Sequence, residues 1–129
     1  MQKLVTAEIK KASKKFPLYS QDGKKGQAVV LARYFTPYSN YTWYMLEFDP
    51  TTGDAFGYIV GPEPEYGYFN VNELQNIKHN ARFMGRIISL QAIERDISID
   101  SGKQTLEQIL EERGEQKPSW WADKEEEVA

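Results

Sequence analysis

Two kinds of residue in this chain have types and spacings that chemistry can use: paired carboxylates and a dense run of aromatic rings. Glu47 and Asp49 stand two apart, as do Glu94 and Asp96. Paired acids can hydrolyse a bond as acid and base, or hold a metal ion that activates water. At this spacing on a strand they share one face. The accompanying groups are poor. No lysine stands at a nuclease-like spacing, and the single histidine, His79, lies among polar neighbours where a surface or loop position is expected. The absence of cysteine removes thiolate catalysis, disulfides and Cys-ligated zinc. Ion pairs with Arg33 or Arg95 are therefore the expected use of these acids. An arginine gripping a carboxylate would fix the register between the first strands and the last. A metal-dependent hydrolase built on Glu47, Asp49, Glu94 and Asp96 remains an alternative, and no cofactor is expected.

The rings concentrate in "YFTPYSNYTWYMLEFDP", residues 34–50, where seven of seventeen residues are aromatic. Aromatic side chains on a sheet can stack on single-stranded bases, each worth about 1–3 kcal/mol. That use needs interleaved cations for the phosphates. Between residues 34 and 77 there is no Lys or Arg, only acids. Core and cross-strand packing is thus the expected role of most of these rings. Tyr38 and Tyr41, at a turn, are the candidates for exposure and for contact with a partner. "GPEPEYG" has glycines at the wrong spacing for a phosphate loop, and its acids would repel phosphate.

Charge is distributed unevenly. Residues 1–26 carry seven Lys against Glu8 and Asp22, a net of +5, whereas residues 100–129 carry nine acids against four bases, a net of −5. The basic end supplies a candidate nucleic-acid surface at Lys10, Lys11, Lys14, Lys15, Lys24 and Lys25; a solvated helix face is the simpler use of it. Near the other end, Trp120 and Trp121 follow Pro118. Burying a large apolar side chain is worth about 1.5–3 kcal/mol, so both should be covered, by their own domain or by a partner or second copy.

These residues need a scaffold. A chain of 129 residues fits one domain, with residues 1–114 forming it and 115–129 an acidic, Trp-containing tail. Residues 5–16 read as a short amphipathic helix ended by Pro17. Strands are expected at 27–35, 41–48 and 55–61, joined as an antiparallel meander, with Gly53 in the turn. Asn70, Glu73, Phe69 and Leu74 carry the cap and staple pattern of a helix near 71–78. "HNARFMG" breaks the pattern, and "RIISLQAI" and "RDISID" read as one bent strand or two short ones. Leu106, Ile109, Leu110 and Arg113 define a last helix, capped by Gly114. The fold class is α+β: a single domain whose antiparallel meander sheet has four to five strands, with N-terminal, middle and C-terminal helices packed on one face or at its ends.

The segments "FPLYSQD" (16–22), "VVLARYFTPYSNYTWYMLEFDP" (29–50), "FGYIVG" (56–61), "EYGYFNVNELQNI" (65–77) and "IERDISI" (93–99) together resemble DUF2958, a family of small bacterial and phage-borne proteins of unknown function. The resemblance covers most of residues 4–100 and implies cargo of plasmids, phages and other mobile elements, with no activity or catalytic residue to carry over. "KHNARFMGRIISLQA" departs from the pattern, standing where a shorter turn is usual, as do the last helix and "SWW".

A non-enzymatic accessory or adaptor protein acting by protein–protein binding is the leading expectation, through Trp120, Trp121, Tyr38 and Tyr41. Nucleic-acid binding through the basic N-terminal segment is the alternative. No apolar run approaches the roughly 18–20 residues of a membrane span, and "MQKLVTAEIKKASKK" lacks the apolar core of a secretory signal. No membrane partner is expected, and a cytoplasmic setting is.

Overall fold

The computed structural model describes residues 2–115, 117, 118 and 121. In chain order the elements are α1 (Ala7–Ser13), a 3₁₀ turn (Lys25–Gln27), β1 (Ala32–Phe35), β2 (Thr42–Phe48), β3 (Asp54–Val60), β4 (Glu65–Asn70), α2 (Val71–Asn76), β5 (Lys78–Phe83), β6 (Arg86–Gln91), β7 (Glu94–Arg95) and α3 (Leu106–Arg113). Five strands form one sheet in the order β4-β3-β2-β1-β7, every neighbour antiparallel, and β5 with β6 forms a separate ribbon. The chain is thus an α+β protein, as its pattern of elements implies. Among the described residues no helix is long and apolar enough to cross a membrane.

Each helix starts where a side chain can accept the first free N–H groups. Thr6 caps α1 through Ile9, Asn70 caps α2 through Glu73, and Thr105 and Gln108 make a reciprocal capping box for α3. Gly114 ends α3 at φ 66°, a left-handed position that glycine adopts without a Cβ penalty. Helix α1 is shorter than the span 5–16, so Lys14 is its C-cap and Lys15 lies beyond it.

The helices, expected on one face of the sheet or at its ends, cover both of its faces. Ile9 of α1 and Val71 and Leu74 of α2 pack with Tyr34, Met45, Phe48 and Ala55 on one side. Leu106, Ile109 and Leu110 of α3 pack with Tyr44, Leu46, Tyr58 and Trp121 on the other. A β-bulge between Met45 and Glu47 makes this division irregular. Strict alternation would put Glu47 with Met45 and Phe48 with Leu46. The extra residue reverses the faces beyond it, so Phe48 joins Met45 and Glu47 turns to the α3 side opposite Phe56.

Two further elements differ from the sequence expectation. β4 is a full edge strand paired along β3, although its residues precede a helix with no loop between. Residues 79–85 are the outgoing strand and turn of a hairpin. Phe83 pairs with Arg86 across Met84 (φ 52°) and Gly85 (φ 78°), the two positive φ values of a type I′ turn, whose twist matches that of a two-stranded ribbon.

Candidate functional site

Of the seven rings in residues 34–50, Tyr34, Tyr44 and Phe48 are buried, Phe35 and Trp43 are half-buried, and Tyr38 and Tyr41 are exposed. Tyr34, Tyr44 and Tyr58 are fully buried, and burial pushes the hydroxyls of Tyr34 and Tyr44 above their usual range and that of Tyr58 to about 12. The Tyr34 hydroxyl donates to the Leu4 carbonyl at 2.7 Å, so the buried ring has its polar tip satisfied. Tyr38 and Tyr41 are exposed. Tyr41 leans on Gly61 and stacks on Trp43 at 5.7 Å, and Tyr38 stacks on His79 at 3.7 Å, nearly parallel at 8°. Each is thus engaged with the protein on one side of its ring.

The four paired acids go to separate places. The Glu47 side chain is fully buried and accepts from the backbone N–H groups of Tyr19 at 2.7 Å and Gln21 at 2.8 Å, one on each oxygen. Gln21 completes the latch: its amide donates to the Val29 and Leu46 carbonyls and accepts from the Val29 N–H. Asp49 accepts from the Thr51 N–H in the β2–β3 turn. Glu94 lies on the short edge strand β7, opposite Phe35. Asp96 meets Arg33 at 3.2 Å and also Arg113. Among the described residues no group of three or more His, Asp or Glu is placed to hold a metal ion.

Arg33 answers the expectation of an arginine that ties the meander to the last strand. It bridges two acids, Asp96 and Glu115, each at 3.2 Å, and its Nε donates to the Tyr44 hydroxyl. Tyr44 donates to Glu115 at 2.6 Å. Burial works against the charge on Arg33, but the bonds to Tyr44 and Glu115 outweigh it and its pKa is raised. For Asp96, burial is likewise outweighed by hydrogen bonds from Ser98 and by the charges of Arg113 and Arg33, and its pKa is lowered. Arg95 instead donates to the Lys3 carbonyl.

Trp121, a partner-contact candidate by residue type, is used inside the domain. It packs against Tyr58, and its ring lies so close to Gly26 that a Cβ there would come within 3.0 Å of it. Trp120 lies outside the described residues. Lys10, Lys11, Lys14, Lys15 and Lys24 are exposed, and Lys25 is half-buried. Lys25 lines a cleft of about 270 Å³ with Gln21, Asp22, Glu47, Phe56 and Tyr66. Glu47 and Gln21, its buried polar residues, are already engaged with backbone groups.

The most unusual surface lies elsewhere, on the β5–β6 hairpin. Its base is held firmly. The Gln91 side chain accepts from the Gln2 N–H at 2.9 Å and donates to the Gln2 carbonyl at 2.8 Å, and Ala92 N–H reaches the Ile77 carbonyl. Its outer half is open to solvent: Phe83 is 62%, Met84 89% and Ile87 66% exposed, and Ile88 and Leu90 are exposed too. Cross-strand partners share a face, so the register places Phe83, Ala81, Ile88 and Leu90 together with Arg86 on the face that carries His79. The opposite face carries Asn80 and Ser89, hydrogen-bonded at 2.8 Å, with Arg82 and Ile87. A two-stranded ribbon is marginal by itself in water, and contiguous exposed apolar side chains mark an interaction surface. Sequence reasoning missed these residues by treating "HNARFMG" as a break. The signal was the Met84-Gly85 pair between two six-residue runs, with glycine where a hairpin turn favours it.

No curated protein and no solved structure matches the chain. A family model described as "Protein of unknown function (DUF2958)" matches residues 4–114, most of the chain, and the chain therefore belongs to the DUF2958 family.

Proposed function

We propose that this chain is a non-enzymatic accessory protein that acts by binding another protein. The observation that carries the proposal is the β5–β6 hairpin, which holds Phe83, Met84, Ile87 and Ile88 in solvent on a base fastened to Gln2 and Tyr38. Apolar side chains presented on a fixed backbone lose little conformational freedom when a partner covers them. Two observations support a non-enzymatic role. The buried carboxylate of Glu47 is occupied by two backbone amides, and Asp96 is occupied by two arginines. The role in a phage or mobile element, and a cytoplasmic setting, belong to the proposal as what the family resemblance and the cysteine-free sequence favour.

Affinity capture from the native host, compared between the wild type and a Phe83→Ser/Ile88→Ser variant, tests it. A protein recovered at near-stoichiometric amounts by the wild type and lost by the variant is the expected result. Identical recoveries from the two baits would refute it.

The exposed lysines favour a second reading, nucleic-acid binding. Lys10, Lys11, Lys14, Lys15 and Lys24 all reach solvent, and affinity of that kind falls steeply with salt. A gel shift of DNA or RNA at low salt, abolished by Lys10→Glu/Lys14→Glu, would support it over the first; no retardation would remove it.

A further inference from the structure

The hairpin that carries the protein-binding proposal also indicates the chemistry of its occupant. Three features bear on this. First, it is cationic. Lys78, Arg82 and Arg86 are exposed, and no acid occurs in the sequence between Glu73 and Glu94. Neither Arg82 nor Arg86 has an ion pair among the described residues. Second, it is amphipathic by alternation, with the apolar group Ala81, Phe83, Ile88 and Leu90 on one face. Third, it has open edges, since β5 and β6 pair with each other and with no third strand among the described residues.

The edge can be read residue by residue. In a hairpin closed by a two-residue turn, the pair flanking the turn exchanges hydrogen bonds, and every second pair after it does too. Those pairs are Phe83–Arg86, Ala81–Ile88 and His79–Leu90. The Ala92 N–H bond to the Ile77 carbonyl continues the same alternation. On β6 the N–H and C=O groups of Ile87 and Ser89 therefore point outward, away from β5.

These features discriminate between occupants. A hydrocarbon layer cannot satisfy outward backbone N–H and C=O groups, which are costly to bury unpaired. Two copies docked face to face would bring two cationic faces together with no acid between Glu73 and Glu94 to offset them. A nucleic acid would meet few cations and a largely apolar face, whereas phosphate binding needs many cations. An extended peptide answers all three features. Its backbone bonds the edge, its apolar residues extend the face of Phe83 and Ile88, and its acids fall on the opposite face, which carries the exposed Arg82.

We infer that the occupant is an extended segment of another protein, alternating apolar and acidic side chains, added as a third strand along the outer edge of β6. This rests on the protein-binding reading above.

The test uses the full chain, isotope-labelled for NMR, and a short peptide alternating glutamate and valine. The peptide is expected to bind and to slow amide hydrogen exchange at Ile87 and Ser89 by about tenfold or more, a gain of the size strand pairing gives a fraying edge. A peptide with lysine in place of glutamate binds at least about tenfold more weakly. Arg82→Glu, a surface change on the face that takes the acids, removes that order of preference. Equal binding of both peptides overturns the inference, as does failure of the acidic peptide to bind. So does saturation without protection at Ile87 and Ser89. Capture by phosphatidylserine vesicles or by duplex DNA that requires the hairpin, or dimerisation abolished by Phe83→Ser, also overturns it. If the peptide fails while Phe83→Ser/Ile88→Ser loses a host protein, strand addition falls and protein binding stands. If those substitutions leave the host recovery unchanged, both fall.

Discussion

The rings of Tyr38 and His79 stack at 3.7 Å and 8°, joining the β1–β2 turn of the main sheet to the base of the β5–β6 hairpin. Neither residue is in the buried core, and their elements lie in different sheets. The pair is therefore the place where the hairpin's direction is set relative to the domain, together with the Gln2–Gln91 bonds.

Removing one ring of that pair should loosen the hairpin without unfolding the domain. An aromatic pair is worth about 0.5–1.5 kcal/mol beyond its buried area. His79→Ala is expected to speed hydrogen exchange across residues 78–91 several-fold while the midpoint of thermal unfolding moves little. Exchange measured by mass spectrometry checks this, and unchanged rates in the hairpin would show that the stacking holds nothing.

Glu47 should matter far more to stability. Its carboxylate satisfies the N–H groups of Tyr19 and Gln21 at a fully buried site, and Tyr19 is held at φ 75°, a left-handed conformation unfavourable for a bulky residue. Glu47→Ala leaves both donors without acceptors, at about 1–3 kcal/mol each. A loss of about 2–5 kcal/mol in urea unfolding is expected, with Glu47→Gln, which keeps one acceptor oxygen, losing less. If Glu47→Ala unfolds at the wild-type urea concentration, the latch is not what holds the 17–24 loop.

The Arg33 network makes a signed prediction for pH. The folded pKa of Asp96 lies below its ordinary 3.8. The protonated carboxyl is then favoured in the unfolded chain, so the pairing adds stability above that ordinary value and loses it as pH falls through the lower, folded value. The end of α3 is expected to release first in acid, since Arg113 and Glu115 bind through this cluster. Asp96→Asn should lower stability at neutral pH by about 1–3 kcal/mol and flatten the acid limb of the stability curve. An acid limb of unchanged slope in the variant would remove Asp96 as its source.

Trp121 supplies a test of how far the domain extends beyond the last helix. It closes the α3-side core against Tyr58 and Gly26, beyond residue 114 where the family match ends. Trp121→Ala is expected to cost about 3–5 kcal/mol, as for other buried aromatics cut to alanine. With Trp43 and Trp120 replaced by Phe, its emission should shift to longer wavelength on unfolding in step with the loss of helix. A variant as stable as the wild type would mean that the ring adds no core packing.

Much of the scaffold was legible because it rests on local rules. The start of α2 follows from Asn70, whose side chain reaches an N–H group three residues ahead, and the end of α3 from Gly114, whereas the caps Thr6 and Thr105 were not singled out. The meander follows from alternating β-branched and aromatic residues with Gly53 in its turn. Even the Arg33–Asp96 pair was foreseeable as one of a few arginines facing a few acids. The candidate site was not foreseen in the same way. The residues singled out for binding were rings, and rings cannot reveal from type alone whether they fill a core, as Trp121 does, or face water, as Phe83 does.

By itself, then, the sequence determined the α+β class, the three-strand meander, the caps at Asn70 and Gly114 and the absence of cysteine, all consequences of neighbours along the chain. Tertiary structure alone decided the rest. A single bulge before Glu47 turned that acid from the face of Met45 to the α3 side, onto the amides of a loop more than twenty residues away. The division of helices between two faces of the sheet left the β5–β6 ribbon outside both cores. The physical reason is the same in each case: a side chain's burial depends on what the whole fold brings over it, and residues adjacent in sequence carry no record of that.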